Sequence, residues 1–466
     1  MQPIRTLFSG VILTSTLALA SSEGLEYLNH LREQAGLVTL NENSALQPSA
    51  QNHSHYLNIN DTSGHYEDEN ADGFTGESPS DRAVYAGYYS TGIGENVSVG
   101  QKDVNQSIDG LLAAIYHRFS FLSLEKDEIG IGVEEEHYTF DMGNSLLNDL
   151  CQNHTYTDGD YYYNVCADPD KKIESESYLD AREHYKTLAS APDIVMWPPA
   201  GGDHIPPAFY DETPDPLPDY DVSGYPISVE FNDAVFPDAP TDLSLRLEDD
   251  TNTTVESIIL MDENNDPEGL FSDHQFALFP RQHLEWGRTY YPTLSYEGSS
   301  RRWCFATQSL SDFGAEKVYR IDSSDDITLK VVSGKKYALY FVPQDQEDIF
   351  NSYPSSSHNT QPPTIGFIDW NTLLFSVEGD NGESVELTVG NSSGQTVTLV
   401  IDTNDQAEQP AHDRCDAVNT YDESAETGTP SDETTQSSSA GGFPLTALFM
   451  MMLAMAGMVR KVGSRK

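Results

Sequence analysis

The sequence predicts a multidomain protein in which an N-terminal domain of mixed helices and strands precedes two domains built from β-strands. The chain has 466 residues, a length that accommodates about two to four domains. Apolar residues recur at helical spacing within residues 23–145, whereas apolar and polar residues alternate in short runs through residues 219–310 and 311–403. The predicted fold class is therefore an α/β domain followed by two β-sandwich-like domains.

Three helices and two strands account for the periodicity of residues 23–145. The apolar helix positions are Leu25, Leu28 and Leu31, then Leu46, Ala50, His53 and Leu57, then Ile108, Leu111, Leu112, Ile115 and Phe119. Short apolar strands follow at residues 129–133 and 138–142. Helices that alternate with strands in this order predict a layered α/β domain.

Three connecting segments separate and follow the predicted domains. Residues 146–190 are rich in Asp, Asn and Tyr and predict a polar connector that carries a small disulfide loop. Residues 191–218 are Pro-rich and predict an extended, semi-rigid spacer. Residues 404–440 are acidic and of low complexity, which predicts a disordered stalk.

Residues 1–20 have the pattern of a secretory signal peptide. Arg5 supplies the positive charge, residues 7–19 the apolar core, and the small residues Ala18 and Ala20 a cleavage site for signal peptidase. The alternative is an N-terminal membrane anchor, but the apolar run is too short and no charge follows it. We therefore expect this segment to be removed during export.

Residues 441–466 form a second terminal signal. Gly441 and Gly442 precede seventeen mostly apolar residues, 443–459, and a final cluster of basic residues. This arrangement resembles a GlyGly-CTERM sorting tail, which implies cleavage near the two glycines by a rhombosortase-like protease. The alternative is a permanent single-span anchor, since a run of this length lies at the lower limit for a transmembrane helix. Both readings predict a protein at the surface of a diderm bacterium or released from it.

The charge balance of the chain is strongly acidic. There are 75 acidic and 25 basic residues, which give a formal net charge of −50. Such a surface repels nucleic acid and anionic membranes, so both are excluded as partners. It suits solubility in a saline medium, where screening weakens the self-repulsion, and it leaves carboxylates available to bind Ca²⁺.

Four cysteines in the exported part of the chain predict disulfides. Cys151 and Cys166 flank a polar segment and are expected to close a local loop, which leaves Cys304 and Cys415 to pair. Three connectivities remain open, because the spacing alone does not choose among them. No Cys/His pattern typical of a structural zinc site is present.

The most distinctive motifs lie between Gly64 and Val133. They read GHYEDENADGFTGESPSDRAVYAGY, GENVSVG, GLLAAIYHRFSFL and EIGIGV. Their order and spacing resemble the bacterial branch of the CAP superfamily, the SCP or cysteine-rich secretory, antigen 5 and PR-1 domain. The resemblance implies a secreted α-β-α sandwich over about residues 23–145, with His and Glu residues gathered in a cleft.

A second resemblance concerns residues 219–310. The strand patterns Gly-Arg-Thr-Tyr-Tyr at 287–291 and Arg-Trp-Cys-Phe-Ala-Thr at 302–307 resemble bacterial Ig-like domains of exported proteins. Residues 311–403 predict another β-sandwich without a recognisable family. Alternating patterns of this kind are explained by half-buried sheets, so they point to no chemistry.

The CAP resemblance implies that His65, Glu95 and His117 face the cleft. Glu95 is also notable without the family, because it shares one strand face with Val97 and Val99 and is carried toward the core. A buried carboxylate needs a partner, and a histidine is a natural one. The alternative is that Glu95 only accepts backbone hydrogen bonds. The segment before EIGIG lacks the final histidine of the animal and plant branch, which places a complete two-His, two-Glu set in doubt.

The other histidines and Arg118 have structural interpretations. If the third predicted helix is continuous, His117 lies on the side opposite its apolar residues. The alternative to a place in the cleft is therefore that His117 faces solvent. Arg118 is expected to pair with Asp81 or Glu77. His53 shares a face with core residues and is predicted to be a core histidine.

Two metal sites are hypotheses of the sequence. His65, Glu95 and His117 match the ligand count of an open zinc site, although only the family geometry brings them together. Residues 68–73 match the first half of an EF-hand calcium loop, but Pro79 stands where the loop needs Glu. An acidic turn is the alternative for that segment.

Three functions are consistent with these features. The first is an exported binding module whose cleft holds a lipid-like ligand, an envelope component or a protein partner. The second is an extracellular metal-assisted hydrolase of peptide or glycan, in which Glu95 acts as general base on water. The third is an adhesive protein whose β domains carry the function. The sequence contains no phosphate-binding loop or dinucleotide fingerprint, which favours the first.

Overall fold

The computed structural model describes residues 9–322, 325–343, 349–350, 352–390, 395–402 and 421–422. The N-terminal domain combines five helices with a four-stranded sheet of order β1-β3-β4-β2. Its elements are α1 (Ser9–Gln34), β1 (Asn41–Glu42), α2 (Leu46–Asn60), α3 (Pro79–Tyr85), β2 (Gly94–Val99), α4 (Val104–Ala113), α5 (Ile115–Phe121), β3 (Glu128–Glu134) and β4 (His137–Gly143). The predicted mixture of helices and strands is thus present.

Two glycines explain how closely α2 lies against the sheet. A Cβ atom at Gly130 would be 2.1 Å from the carbonyl oxygen of Leu46, and one at Gly132 would be 2.1 Å from that of Ala50. Both glycines are in β3, and a real Cβ does not approach backbone atoms to this distance. The EIGIG motif is therefore the part of the sheet on which the helix backbone rests.

Helix α1 begins at Ser9 and runs without interruption to Gln34, so it starts well before Leu25, where the sequence predicts a helix. Leu19 is exposed, whereas Ser21 is buried and its hydroxyl donates a hydrogen bond to the carbonyl oxygen of Ile131 in β3. Ala20, the last residue before the predicted cleavage site, is half-buried against the main hydrophobic cluster. No helix within the described residues is both long enough and apolar enough to span a bilayer. The predicted stalk, apart from the short strand 421–422, and the predicted sorting tail lie outside the described residues.

The connector after the N-terminal domain contains the predicted disulfide loop. It comprises α6 (Ser145–Asn153), β5 (Tyr161–Tyr162), β6 (Ile173–Glu174), α7 (Ser175–Glu183) and a 3₁₀ turn (His184–Thr187). Cys151 and Cys166 form a disulfide across 15 residues, as predicted. Cys304 is also disulfide-bonded, and Cys415 lies outside the described residues.

The first β domain starts earlier in the chain than the sequence predicts. Its strands are β7 (Ile194–Trp197), β8 (Gly202–Ile205), β9 (Ala208–Phe209), β10 (Ser223–Gly224), β11 (Ile227–Phe231), β12 (Ser244–Asp249), β13 (Thr254–Val255), β14 (Ser257–Met261), β15 (Gln275–Pro280), β16 (Thr289–Tyr296), β17 (Ser299–Arg302) and β18 (Phe305–Thr307). They form a sheet of order β14-β15-β11-β7, a two-stranded sheet of β9 and β10, and a larger sheet around β12, β16 and β17, to which β27 (Tyr421–Asp422) adds an edge.

The Pro-rich segment, residues 191–218, is not the extended spacer that its composition predicts. Strand β7 within it pairs with β11, and Phe209 and Leu217 are buried in a hydrophobic cluster. The apolar residues between the prolines override the composition, because they pack against their neighbours and restrain the segment over its length.

The second β domain consists of two four-stranded sheets that share one core. Its strands are β19 (Val318–Ile321), β20 (Ile327–Val331), β21 (Lys336–Phe341), β22 (Ser352–His358), β23 (Thr364–Asp369), β24 (Thr372–Ser376), β25 (Ser384–Gly390) and β26 (Thr396–Ile401). The sheets have the orders β19-β21-β24-β23 and β20-β26-β25-β22. Alternate side chains of both sheets point into a common cluster that includes Leu339, Leu373, Leu387 and Leu399, as the alternating pattern predicts.

The N-terminal domain and the first β domain pack tightly together around α5. Ile115 and Phe119 of this helix lie in one hydrophobic cluster with Phe209, Phe271 and Phe279 of the β domain. The larger cluster likewise contains residues from both domains. The helix that carries His117 is therefore held between the two domains.

Candidate functional site

His65 is the exposed end of a buried ion-pair network. Its Nδ1 lies 2.9 Å from Oε1 of Glu95, while the other oxygen of Glu95 accepts a hydrogen bond from Arg82 at 2.5 Å. The side chain of Glu95 is 1% exposed and that of His65 is 37% exposed. As the family resemblance implies, the structure brings His65 and Glu95 together, with the carboxylate inside and the imidazole outside.

His117 is held in the same way by a residue that the sequence analysis missed. Its Nδ1 lies 2.8 Å from Oε2 of Glu212, which comes from the Pro-rich segment. The backbone carbonyl of His117 accepts a hydrogen bond from Asn96, the neighbour of Glu95. The rings of His65 and His117 are stacked, with centroids 6.4 Å apart and planes inclined by 24°. We call His65, Glu95, His117 and Glu212 the histidine cluster.

A break in the third predicted helix sets the position of His117. Ala114 is extended, with φ −75° and ψ 115°, and separates α4 from α5. The backbone N–H of Ile115 consequently lacks an intrahelical partner and donates to Oε1 of Glu212 at 2.7 Å. The regular helix assumed from the sequence would have turned His117 toward solvent, whereas its side chain is only 13% exposed.

Arg118 does not form the predicted pair with Asp81 or Glu77. Its guanidinium is fully buried and donates to the carbonyl oxygens of Leu112 and Pro226 and to the hydroxyl of Ser228. Because the last two acceptors belong to the first β domain, Arg118, the residue next to His117 in α5, joins the two domains.

His53 is a core histidine, as predicted. It is fully buried, and its two ring nitrogens contact Oε1 of Glu67 and the carbonyl of Gly64, each at 2.9 Å. Glu67 also lies 3.7 Å from Arg82, so Arg82 is shared between the two buried carboxylates Glu67 and Glu95. The position of Gly64, and with it His65, therefore depends on this buried network.

Charge–charge contacts keep Glu95 ionised. Burial raises the pKa of its carboxyl, but the Arg82 guanidinium and the hydrogen bond from His65 more than offset this and lower the pKa to about 2. Burial also raises the pKa of Glu212, and its contact with His117 opposes that rise. With Glu95 ionised, Nδ1 of His65 carries the proton that it donates to this carboxylate.

Asp141 lies on the strand next to Glu95, and its pKa is shifted in the opposite direction. It is the cross-strand partner of Glu95 in β4, is fully buried, and accepts a hydrogen bond from the hydroxyl of Ser49 at 2.6 Å. Burial, with the nearby negative charge of Glu95, raises the pKa of Asp141 well above its usual value. Its other oxygen has no hydrogen-bond partner within the described part of the chain.

Replacing Asp141 by Asn is expected to remove a pH-dependent loss of stability. The raised pKa of Asp141 means that the folded state holds this proton more tightly than the unfolded state, so folding stability falls as pH rises above about 3.8. The amide mimics the protonated acid and does not titrate. Thermal unfolding at pH 4 and pH 7 should therefore show D141N gaining stability relative to wild type as pH rises. The exposed control D149N should show no such trend, and an equal effect of D141N at both pH values would contradict the assignment.

The histidine cluster does not fit the predicted zinc site. Among the described residues, no group of three or more His, Cys, Asp or Glu side chains is arranged to hold a metal ion. Both oxygens of Glu95 are engaged by His65 and Arg82, so a cation at Glu95 would have to displace a buried guanidinium. We therefore derive no metal chemistry from this site.

The acidic segment 68–73 forms a turn. Oδ1 of Asp68 accepts hydrogen bonds from the backbone N–H and the side chain of Asn70. Asp and Asn side chains are common in turns because their oxygens accept hydrogen bonds from the turn backbone. This role explains the Asp and Asn residues of the segment, and calcium binding is not needed to explain them. The alternative reading of this motif, an acidic turn, is the one that agrees with the structure.

Residues 25–143 match the model of CAP, the cysteine-rich secretory protein family. No curated protein sequence matches the chain. Among solved structures, an extracellular protein containing an SCP domain from Bacillus anthracis is 19% identical, with a TM-score of 0.27, and the match covers 30% of this chain and 44% of that one. The chain thus spans less than half of that protein.

Two further solved structures match at lower TM-scores. An outer surface protein from Borrelia burgdorferi is 19% identical, with a TM-score of 0.23, over 26% of this chain and 93% of that one. Tandem Ig repeats of Dlar match over 38% of this chain and 88% of that one, at 10% identity and a TM-score of 0.12. Similarities at these levels bear on neither ligand nor activity. The part of the chain that carries His65, Glu95 and His117, residues 25–143, is a domain of the CAP family.

Proposed function

We propose that this chain is an exported bacterial protein whose histidine cluster binds an envelope component without changing it chemically. The state of Glu95 carries the proposal. Its side chain is 1% exposed, and Arg82 and His65 occupy its oxygens and lower its pKa to about 2. A general base needs access to water and a pKa nearer the working pH, so Glu95 suits a positioning role better than catalysis.

The chemistry of the two imidazoles indicates the class of ligand. Each Nδ1 faces a buried carboxylate, and no described residue hydrogen-bonds either Nε2. In a neutral ring that donates from Nδ1, the Nε2 atom is an acceptor. Two acceptors side by side suit a ligand with hydroxyl groups, such as a sugar of the cell envelope, better than an apolar chain.

The location of the protein follows from the chain termini. We propose export by the signal peptide, with cleavage by signal peptidase after Ala20, because the small residues Ala18 and Ala20 form a cleavage pattern after an apolar run. We further propose that the Gly441-Gly442 tail anchors the protein transiently or permanently and that a rhombosortase-like protease acts there. The β domains, which we take to be sandwiches of the Ig-like kind, would hold the CAP domain away from the surface.

Adhesion through the second β domain is a second candidate function. Tyr353, Phe367 and Trp370 of this domain are 63%, 38% and 54% exposed, and the rings of the first two lie 5.3 Å apart. Clustered exposed aromatic side chains are typical of interaction surfaces. This function would leave the histidine cluster without a ligand.

Histidine NMR on the full exported protein tests the proposal. Protein with ¹⁵N-labelled histidine is titrated with soluble peptidoglycan fragments and with lipopolysaccharide core oligosaccharide. We expect the ring signals of His65 and His117 to shift together, and the fully buried His53 to remain unchanged. Mass spectrometry should recover both probes intact.

Other results of this titration would contradict the proposal. Cleaved probe would support the hydrolase instead, and the absence of a shift at both histidines with every probe would exclude envelope sugars as the ligand. A shift confined to a Trp370 indole signal would support adhesion by the second β domain.

A further inference from the structure

Glu212 lies at the junction of the CAP domain and the first β domain, 95 residues beyond His117 in the chain. We propose that Glu212 is the fourth residue of the ligand site, that it positions the His117 ring, and that two domains therefore build the site. The part of this inference that concerns ligand binding rests on the proposed function. The positioning role itself can be tested without any ligand.

The Pro-rich segment holds Glu212 firmly in place. Phe209 and Leu217, on either side of it in sequence, are 2% and 5% exposed and belong to one hydrophobic cluster with Ile115 and Phe119 of α5. The side chain of Glu212 is itself only 4% exposed. A carboxylate carried between two buried anchors has little freedom to move away from the helix that it contacts.

Both oxygens of Glu212 are used by α5. Oε1 accepts from the backbone N–H of Ile115 at 2.7 Å, and Oε2 lies 2.8 Å from Nδ1 of His117. The break at Ala114 frees that N–H, so the carboxylate meets both the start of the helix and the ring of its third residue. Two simultaneous contacts fix the rotation of the carboxylate, which in turn fixes the plane of the imidazole.

His117 is held by a carboxylate at Nδ1 in the same way as His65, but the two carboxylates come from different parts of the chain. Glu95 uses one oxygen for His65 and the other for Arg82, all three within the CAP domain. Glu212 uses one oxygen for His117 and the other for the helix backbone, but it arrives from outside the family-matched residues 25–143. The first β domain therefore contributes to the site, besides supporting the CAP domain.

The expected chemical effect is on the ring tautomer. A free neutral imidazole exists in two tautomers, and a carboxylate at Nδ1 favours the form that carries the proton there. A hydrogen bond to a charged acceptor changes the ratio of the two forms by about tenfold or more. The proton on Nδ1 leaves Nε2 of His117 as an acceptor next to that of His65.

The test measures the ¹⁵N shifts of the His117 ring in the full exported protein. Wild type should show a protonated Nδ1 and an unprotonated Nε2. In E212A the ratio should change by about tenfold or more toward the Nε2-protonated form, and E212Q should retain part of the wild-type ratio because its amide oxygen still accepts. D211N, a change of the exposed neighbouring acid, should leave the ratio unaltered, as should the signals of His53.

An unchanged His117 tautomer in folded E212A would overturn the positioning role. If E212A does not fold, E212Q decides in its place, because a smaller change in the same direction is still required. In a second arm, the same sugar probes are titrated, and binding should be at least tenfold weaker in E212A than in D211N. Equal binding would overturn the two-domain site, whereas a failure of wild type to bind any probe would count against the proposed function and leave the tautomer result standing.

Discussion

Replacing Arg118 by Ala is expected to lower the free energy of unfolding by about 3 kcal/mol or more. The guanidinium is fully buried and donates to the carbonyl oxygens of Leu112 and Pro226 at 2.6 and 2.7 Å and to the hydroxyl of Ser228 at 3.1 Å. Alanine would remove this donor from the buried Pro226 carbonyl and Ser228 hydroxyl, at about 1–3 kcal/mol for each buried group. It would also remove the stacking of the guanidinium on the Tyr225 ring, 4.9 Å away.

Part of this loss is offset by relief of a buried charge. No carboxylate hydrogen-bonds Arg118 among the described residues, and burial lowers the pKa of its guanidinium. The net loss should still be large, because the acceptors belong to two domains and only the Leu112 carbonyl keeps another donor, the hydroxyl of Tyr225. Arg118→Lys should lose an intermediate amount, since one ammonium group cannot reach acceptors spread around a planar fork.

Urea unfolding monitored by fluorescence checks this prediction. Trp197 is a suitable probe, because it is buried and its indole N–H donates to the hydroxyl of Tyr225 near Arg118. The exposed Arg246→Ala serves as control and should change stability by less than about 0.5 kcal/mol. An R118A variant as stable as this control would show that Arg118 does not join the domains.

Local motifs explain why much of the N-terminal domain could be predicted. Glu95 is buried as predicted, but its alternation with valines is not the reason, because Val97 is half-buried and Val99 is 41% exposed. Gly130 and Gly132 make the EIGIG strand compatible with close helix packing. Such features depend on backbone geometry over a few residues. The pairing of His65 with Glu95 needed the family resemblance, since thirty residues separate them.

Residues that act across domains could not be found in this way. Glu212 stands among prolines and acidic residues, a composition that predicts a spacer. Its role depends on two conditions, burial of Phe209 and Leu217 and a helix break at Ala114, and neither has a strong local pattern. Arg118 was assigned to Asp81 or Glu77 for a similar reason, because its acceptor Pro226, 108 residues away, has no recognisable pattern in the sequence.

Glu95→Gln is expected to cost on the order of 3 kcal/mol at neutral pH and much less in strong acid. The folded protein lowers the pKa of Glu95 from 4.5 to about 2, chiefly because Arg82 and His65 outweigh the effect of burial. A depressed pKa means that the ionised carboxylate stabilises the fold. This contribution is fully present above about pH 4.5 and is lost as pH falls through about 2.

Thermal unfolding of wild type and E95Q between pH 2.5 and pH 7 measures this difference, with exposed Glu69→Gln as control. A difference that stays constant with pH would show that Glu95 contributes by shape alone. The comparison with D141N is informative, because Glu95 and Asp141 are cross-strand partners. Of these two carboxyls, only Glu95 accepts a hydrogen bond from Arg82. We therefore expect the stability lost in E95Q and the stability gained in D141N, each relative to wild type, to grow as pH rises. These results would show that the Glu95 carboxyl stabilises the fold increasingly as pH rises, whereas the adjacent Asp141 carboxyl destabilises it increasingly.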